Sequence, residues 1–163
     1  MLKIGELPSN TQDEDCIQFE KSCEKAEKLA SKLISRAEQN RAKLAAKLRL
    51  RGFDVAVTET VISRLSAQGL LNDERYALLW LRSRLSLKKG LSPHQLFISL
   101  LKRGIDRVSS QNALKTVLTP EIEYTMLIDY VEKIGASANA KFLKSELKSE
   151  GFSSETTARY FDE

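Results

Sequence analysis

The sequence predicts an all-α fold of three tandem three-helix repeats, and three observations carry that prediction. A spacing of twelve residues from a capping residue to a glycine recurs: Asn40 to Gly52, Ser92 to Gly104, Asn139 to Gly151. A leucine stands eight residues before each glycine (Leu44, Leu96, Leu143) and another stands four before (Leu48, Leu100, Leu147). An apolar residue follows each glycine (Phe53, Ile105, Phe152), and then comes Asp54, Asp106 or Ser153. The glycines lie 52 and 47 residues apart, and self-similarity at such a period marks a repeat architecture.

Each part of the unit has a physical role. Asn and Ser side chains accept hydrogen bonds from the free N–H groups at a helix start, so positions 40, 92 and 139 read as N-caps. Around Ser92, Pro93 and Gln95 complete a capping box. Leucines four apart share one helical face. Glycine then adopts the left-handed conformation that stops the helix, and the apolar residue after it folds back on the last turn. Asp54, Asp106 and Ser153 cap the next helix.

A third helix precedes each unit. Residues 20–38 place Ala26, Leu29, Ala30, Leu33 and Ala37 on one stripe. Residues 73–88 run through Tyr76, Leu79, Trp80, Ser83 and Leu87, and residues 121–134 carry Ile122, Met126, Leu127, Tyr130 and Ile134. Val55 to Ile62 is rich in β-branched residues that favour strand locally. The repeat overrules them, because Arg107 to Val117 and Ser154 to Phe161 occupy the same place and read as helical. The expected organisation is an arm over 1–19, then repeats over 20–71, 72–119 and 120–163. The arm carries loop residues and Glu6, Asp13, Glu14 and Asp15 against a single lysine.

The 163 residues are 29% charged and 42% hydrophobic, with seven Gly and three Pro. That suits a helical protein with a modest core or a row of small ones. No stretch approaches the ~18 apolar residues of a membrane span, and the N-terminus lacks the apolar centre of a signal peptide. Cys16 and Cys23 would lie on one side of a helix two turns apart, too far to bridge. Reduced thiols and a cytoplasmic location are expected.

The net charge of +4 is distributed unevenly. Residues 21–51 hold ten basic and three acidic side chains, and residues 82–107 hold seven and one. Residues 120–163 hold five basic against nine acidic. Lys21, Lys25, Lys28, Lys32 and Arg36 follow helical spacing and form one stripe. Arg75, Arg82 and Lys89 form another, beside Arg84 and Lys88. Lys43, Lys47 and Arg51 lie four apart; their equivalents are Gln95, Ser99 and Arg103, then Phe142, Glu146 and Glu150. Solvated faces are one reading of such stripes. Like charges four apart nevertheless disfavour a helix, and only Glu24–Lys28 is a well-oriented compensating pair in the first stripe. A polyanion or an acidic protein surface is the functional alternative. Phe53, Tyr76 and Trp80 stand where packing accounts for them, and Trp80 is expected in the core.

The catalytic inventory is close to empty. His94 is the single histidine, and no glycine-rich nucleophile turn accompanies it. No CxxC, HxxxH or HExxH spacing suggests a zinc site, and no GxxxxGK[ST] or GxGxxG loop suggests a phosphate cradle. The chain reads as a binding protein, not an enzyme, with no cofactor.

The stretch GLLNDERYALLWLRSRLSLKKGLSPHQLFISLLKRGID resembles the central block of the RecX family of RecA regulators. The matching positions are Gly69, Leu70, Leu71, Asn72, Asp73, Arg75, Tyr76, Ala77, Arg82, Arg84, Lys89, Gly90, Gly104 and Ile105. SRAEQNRAKLAAKLRLRGFD, carrying Arg36, Asn40, Leu44, Leu48, Gly52 and Phe53, resembles the first-repeat block. KFLKSELKSEGFS resembles the third. Two features depart from the family pattern. Asn40 replaces a common serine, and the usual Glu-Leu pair survives only as Glu146-Leu147, with Lys47-Leu48 and Ser99-Leu100 elsewhere.

The resemblance implies an elongated, curved molecule that binds the RecA–DNA filament, lying in its helical groove. There it would restrain filament growth, ATP hydrolysis, strand exchange and coprotease activity in DNA repair, homologous recombination and the SOS response. The expected partner-facing residues are Lys25, Lys28, Lys32, Arg36, Lys43, Lys47, Arg51, Arg75, Arg82, Arg84, Lys88, Lys89 and Arg103. The chain is expected to act as a monomer away from membranes. Two other readings stay open: a helical protein that binds single- or double-stranded DNA without sequence preference, and an adaptor for another acidic protein.

Overall fold

The computed structural model describes residues 11–135 and 139–162. Among them are nine α-helices and no strand: α1 (Thr11–Arg36), α2 (Arg41–Arg49), α3 (Val55–Ala67), α4 (Asp73–Leu87), α5 (Pro93–Leu101), α6 (Arg107–Val117), α7 (Pro120–Ile134), α8 (Ala140–Ser149) and α9 (Ser154–Asp162).

Capping chemistry sets the helix boundaries. The side chains of Asn40, Asp54, Ser92, Asp106 and Asn139 accept N–H groups from the first turns of α2, α3, α5, α6 and α8. The capping box at Ser92 and Gln95 forms in both directions. Gly52, Gly104 and Gly151 take positive φ, and the residue after each donates its N–H five positions back. Phe53 reaches Leu48 O at 3.3 Å, Ile105 reaches Leu100 O at 3.2 Å, and Phe152 reaches Leu147 O at 3.1 Å. These are the six-to-one bonds of Schellman stops. Ser153 opens α9 by accepting the Thr156 N–H at 3.2 Å, while Glu123 of α7 accepts the Ser153 N–H at 2.6 Å and its hydroxyl at 2.9 Å.

The β-branched segment is helical: α3 buries Val57, Thr58, Val61 and Leu65, a 3.6-residue pattern that outweighs local strand preference. Helix α1 begins at Thr11, well before residue 20, so residues 11–19 of the expected arm are helical; residues 1–10 lie outside the described residues. The stripe expected on α4 is corrected. Ala77 and Leu81 are buried, whereas Leu79 and Leu87 are 47% and 77% exposed. The run YALLWL is apolar around the whole helix, so periodicity could not select its inner face. Ile122 and Ile134 of α7 are likewise exposed, and Val131 is buried instead.

The chain divides into two compact units, Met1–Leu71 and Asn72–Glu163. In the first, α1, α2 and α3 close around Cys23, Ala26, Ala30, Leu44, Leu48, Val57, Val61, Leu65 and Leu71. Arg64 of α3 ties to Glu20 and Glu27 of α1 at 2.8 and 3.3 Å, and this hydrogen bonding holds the Glu20 carboxyl below its usual range. In the second unit, helices α4 to α9 share one core that runs from Ala77, Leu81, Leu96 and Leu100 to Leu127, Tyr130, Leu147 and Phe152. Polar contacts reinforce that joint. The Ser92 hydroxyl meets the Glu150 carboxylate, and the His94 N–H donates to Glu150 O at 2.9 Å.

Candidate interaction surface

In the first unit, helix α1 buries Cys23, Ala26 and Ala30, and helical spacing puts Lys21, Lys25, Lys28, Lys32 and Arg36 on the opposite side, all exposed. Glu24 and Lys28 form no ion pair, whereas Arg64 pairs with both Glu20 and Glu27.

On α2 the inward leucines Leu44 and Leu48 leave Lys43, Lys47 and Arg51 along one flank of the buried stripe. Lys47 is half-buried, and its ammonium donates to Gln39 Oε1 at 2.9 Å. Gln39 is itself buried and anchored by its Nε2, which donates to Ala37 O at 2.9 Å. Burial pulls the Lys47 pKa below its usual value, and Lys43 and Arg51 push it further in the same direction. No carboxylate counters them. Two exposed cations flanking a half-buried third favour an incoming anion.

In the second unit, Arg82, Lys88 and Lys89 line one groove, at the C-terminal end of α4 and the turn after it. Arg75, in the first turn of α4, does not line it. Arg84 and Arg103 lie elsewhere, over Trp80, with guanidinium carbons 5.9 and 4.4 Å from the ring centroid. Trp80 is therefore half-buried under two guanidinium groups, not enclosed in the core as expected. Its side chain packs against the core, and its ring takes Arg103 at cation–π distance.

Sequence reasoning missed the wall opposite Arg82, Lys88 and Lys89. Glu121 and Asp129 of α7 line the same groove. They stand eight apart and so share a helical face, but nothing in the sequence sets α7 against the end of α4. Backbone and Thr119 hydrogen bonds hold the Glu121 carboxyl below its usual range. His94 is exposed at the start of α5, and no group of three His, Cys, Asp or Glu residues capable of holding a metal ion occurs among the described residues. None of the described helices is long and apolar enough to cross a membrane.

No protein-family model matches the sequence. A regulatory protein RecX from Treponema pallidum (strain Nichols) is 31% identical over 131 residues, spanning 80% of this chain and 79% of the relative. The regulatory protein RecX of Mycolicibacterium vanbaalenii is 33% identical over 113 residues, 69% of this chain and 61% of the relative. Among solved structures, a crystal structure of regulatory protein RecX superposes with a TM-score of 0.72 at 19% identity, covering 100% of this chain and 82% of the other. RecX from Lactobacillus salivarius superposes with a TM-score of 0.66 at 20% identity, covering 87% and 96%. The all-helical fold is that of the RecX crystal structures, and the chain belongs to the family of RecX regulatory proteins.

Proposed function

We propose that this chain regulates the RecA recombinase by binding the RecA–DNA filament, and that it restrains filament growth, ATP hydrolysis, strand exchange and coprotease activity. Family membership supports the regulatory role. The observation that carries the binding mode is the ridge of Lys43, Lys47 and Arg51, none of which forms an ion pair although Lys47 is half-buried. A soluble helix gains nothing in stability from such a row, so its use lies in meeting an acidic surface. The α1 stripe of Lys25, Lys28, Lys32 and Arg36 adds positive potential in the same unit. The chain works as a monomer without a cofactor.

The test is DNA-dependent ATP hydrolysis by the cognate RecA, with this chain titrated below one per protomer and single-stranded DNA held in excess in a parallel series. Inhibition that survives excess DNA supports direct filament regulation. Inhibition that disappears with excess DNA means competition for the strand, and no inhibition in either series overturns the proposal.

One observation favours a second reading, sequence-independent DNA binding. The half-buried Trp80 beneath Arg84 and Arg103 joins an aromatic face to two cations, the combination found on single-strand binding surfaces. That reading requires tight binding to bare DNA with a steep loss of affinity as salt rises.

A further inference from the structure

The groove between the end of α4 and α7 has a volume of about 480 Å³. Its floor is apolar, with Leu91, Ile122 and Met126 among the lining residues. Arg82, Lys88 and Lys89 stand on one side and Glu121 and Asp129 on α7, and no ion pair joins the two sets. The corner that carries the lysines is held in place. Gly90 follows them at φ +65°, and the Lys133 ammonium donates to Gly90 O at 3.0 Å. A methyl group at Gly90 would meet Lys133 Cδ at 2.6 Å, so the corner sits directly on α7.

Apolar floor and two walls of opposite sign specify a kind of occupant. A nucleic-acid strand presents phosphates of one sign, so Glu121 and Asp129 would repel it and the floor would stay unfilled. A protein segment with apolar anchors between an acidic edge and a basic edge satisfies all three surfaces. We infer that the groove docks such an amphipathic segment of a partner protein, with its acidic edge toward Lys88 and Lys89 and its basic edge toward Glu121 and Asp129. Resting on the function proposed above, the inference makes the partner a RecA protomer and assigns Arg82, Lys88 and Lys89 to protein, not to DNA backbone. Buried apolar anchors dominate such interfaces, while flanking charges set register and specificity.

Two variants test the groove in the full chain. Thr125→Trp fills it from an exposed position on α7, and Glu121→Gln with Asp129→Asn neutralises the acidic wall while keeping side-chain shape. Binding is read against RecA filaments on single-stranded DNA and against the bare strand, with helical content and melting followed by circular dichroism. The expected result is a loss of filament affinity of about tenfold for Thr125→Trp and several-fold for the neutralised pair. Affinity for bare DNA should not change. If neutralising the acids tightens binding to filament or strand, the groove tracks phosphate and the inference is overturned. Unchanged filament affinity in Thr125→Trp, with helical content and melting intact, also overturns it, while leaving the filament reading in place. Absence of filament binding by the wild-type chain removes both.

Discussion

Replacing Gly90 by alanine tests whether the lysine corner is locked to α7, and Gly135 provides an internal control in the same compact unit. Both glycines sit in the left-handed region, at φ +65° and +63°. Alanine there costs about 1–2 kcal/mol in backbone strain, offset by about 0.4–1 kcal/mol from the stiffer unfolded chain. At Gly135 nothing lies within 4 Å of the added methyl, so Gly135→Ala should cost about 1 kcal/mol in all. At Gly90 the methyl meets Lys133 Cδ at 2.6 Å and Asp129 O at 3.1 Å. The lysine chain can swing away, but it then gives up its 3.0 Å bond to Gly90 O, and the backbone carbonyl cannot follow. A hydrogen bond from a charged group contributes about 1.5–3 kcal/mol, which brings Gly90→Ala to about 2–4 kcal/mol. Trp80 is the single tryptophan and belongs to that unit, so its fluorescence during urea unfolding reads the right transition. With a urea slope of about 1–3 kcal/mol/M, the two midpoints should separate by about 1 M. Coincident midpoints would mean that the corner yields freely and that the groove has no fixed wall.

Three further outcomes follow from the same contacts. Lys47→Met should weaken filament binding at a stability cost of no more than about 1–3 kcal/mol, because the lost hydrogen bond to buried Gln39 is offset by removal of a desolvated cation between Lys43 and Arg51; unchanged inhibition of RecA ATP hydrolysis would count against the α2 ridge. Burial, then the Glu150 and Glu146 carboxylates, raises the Tyr130 hydroxyl pKa above 10.0. The folded state thus holds its proton longer than the unfolded state, so the contribution is complete below pH 10 and is lost as pH rises through the folded value. Tyr130→Phe should flatten the fall in urea midpoint between about pH 9 and 11, and an identical fall in both proteins would refute the assignment. Cys16 is exposed and Cys23 fully buried with a raised pKa, so iodoacetamide should modify Cys16 rapidly and Cys23 only after unfolding. Equal rates in the native protein would mean that α1 does not pack on α3.

Helix positions were legible in the sequence wherever a cap and a stop bracket an apolar pair. Ser92, Leu96, Leu100 and Gly104 define α5 because each answers a separate requirement of helix start, inward face and helix end. The inner face of α4 was not legible, since YALLWL offers apolar residues in every direction and only the neighbouring helices choose Ala77 and Leu81. The start of α1 was hidden for the opposite reason. Residues 12–18 are exposed and Phe19 is half-buried, so this stretch carries almost no periodic apolar signal. At the candidate surface, the basic residues were legible as stripes, but their partners were not. That Arg103 lies on Trp80 while Lys89 faces a groove with Asp129 depends on tertiary packing between segments far apart in the chain.

Positions equivalent in the recurring spacing are used differently along the chain. In the second repeat Gln95 closes a capping box, the Ser99 hydroxyl donates to its own helix at Gln95 O, and Arg103 covers Trp80. In the third, Glu146 accepts from the Tyr130 hydroxyl at 3.5 Å, and Glu150 meets Ser92 and His94 at the start of α5. Arg103, Glu146 and Glu150 thus reach other elements of the second unit, while Gln95 and Ser99 serve their own helix. Their counterparts in the first repeat, Lys43, Lys47 and Arg51, form no ion pair, and Lys47 alone has a side-chain hydrogen bond, to the neutral Gln39. The same position that gives Glu146 an internal contact thus carries, at Lys47, a cation bonded only to a neutral amide. On the function proposed above, Lys47, standing where the resemblance has a glutamate, is the member of this set offered to an acidic partner. On that argument the affinity of this chain for an acidic partner should respond more to Lys47 than to Arg103.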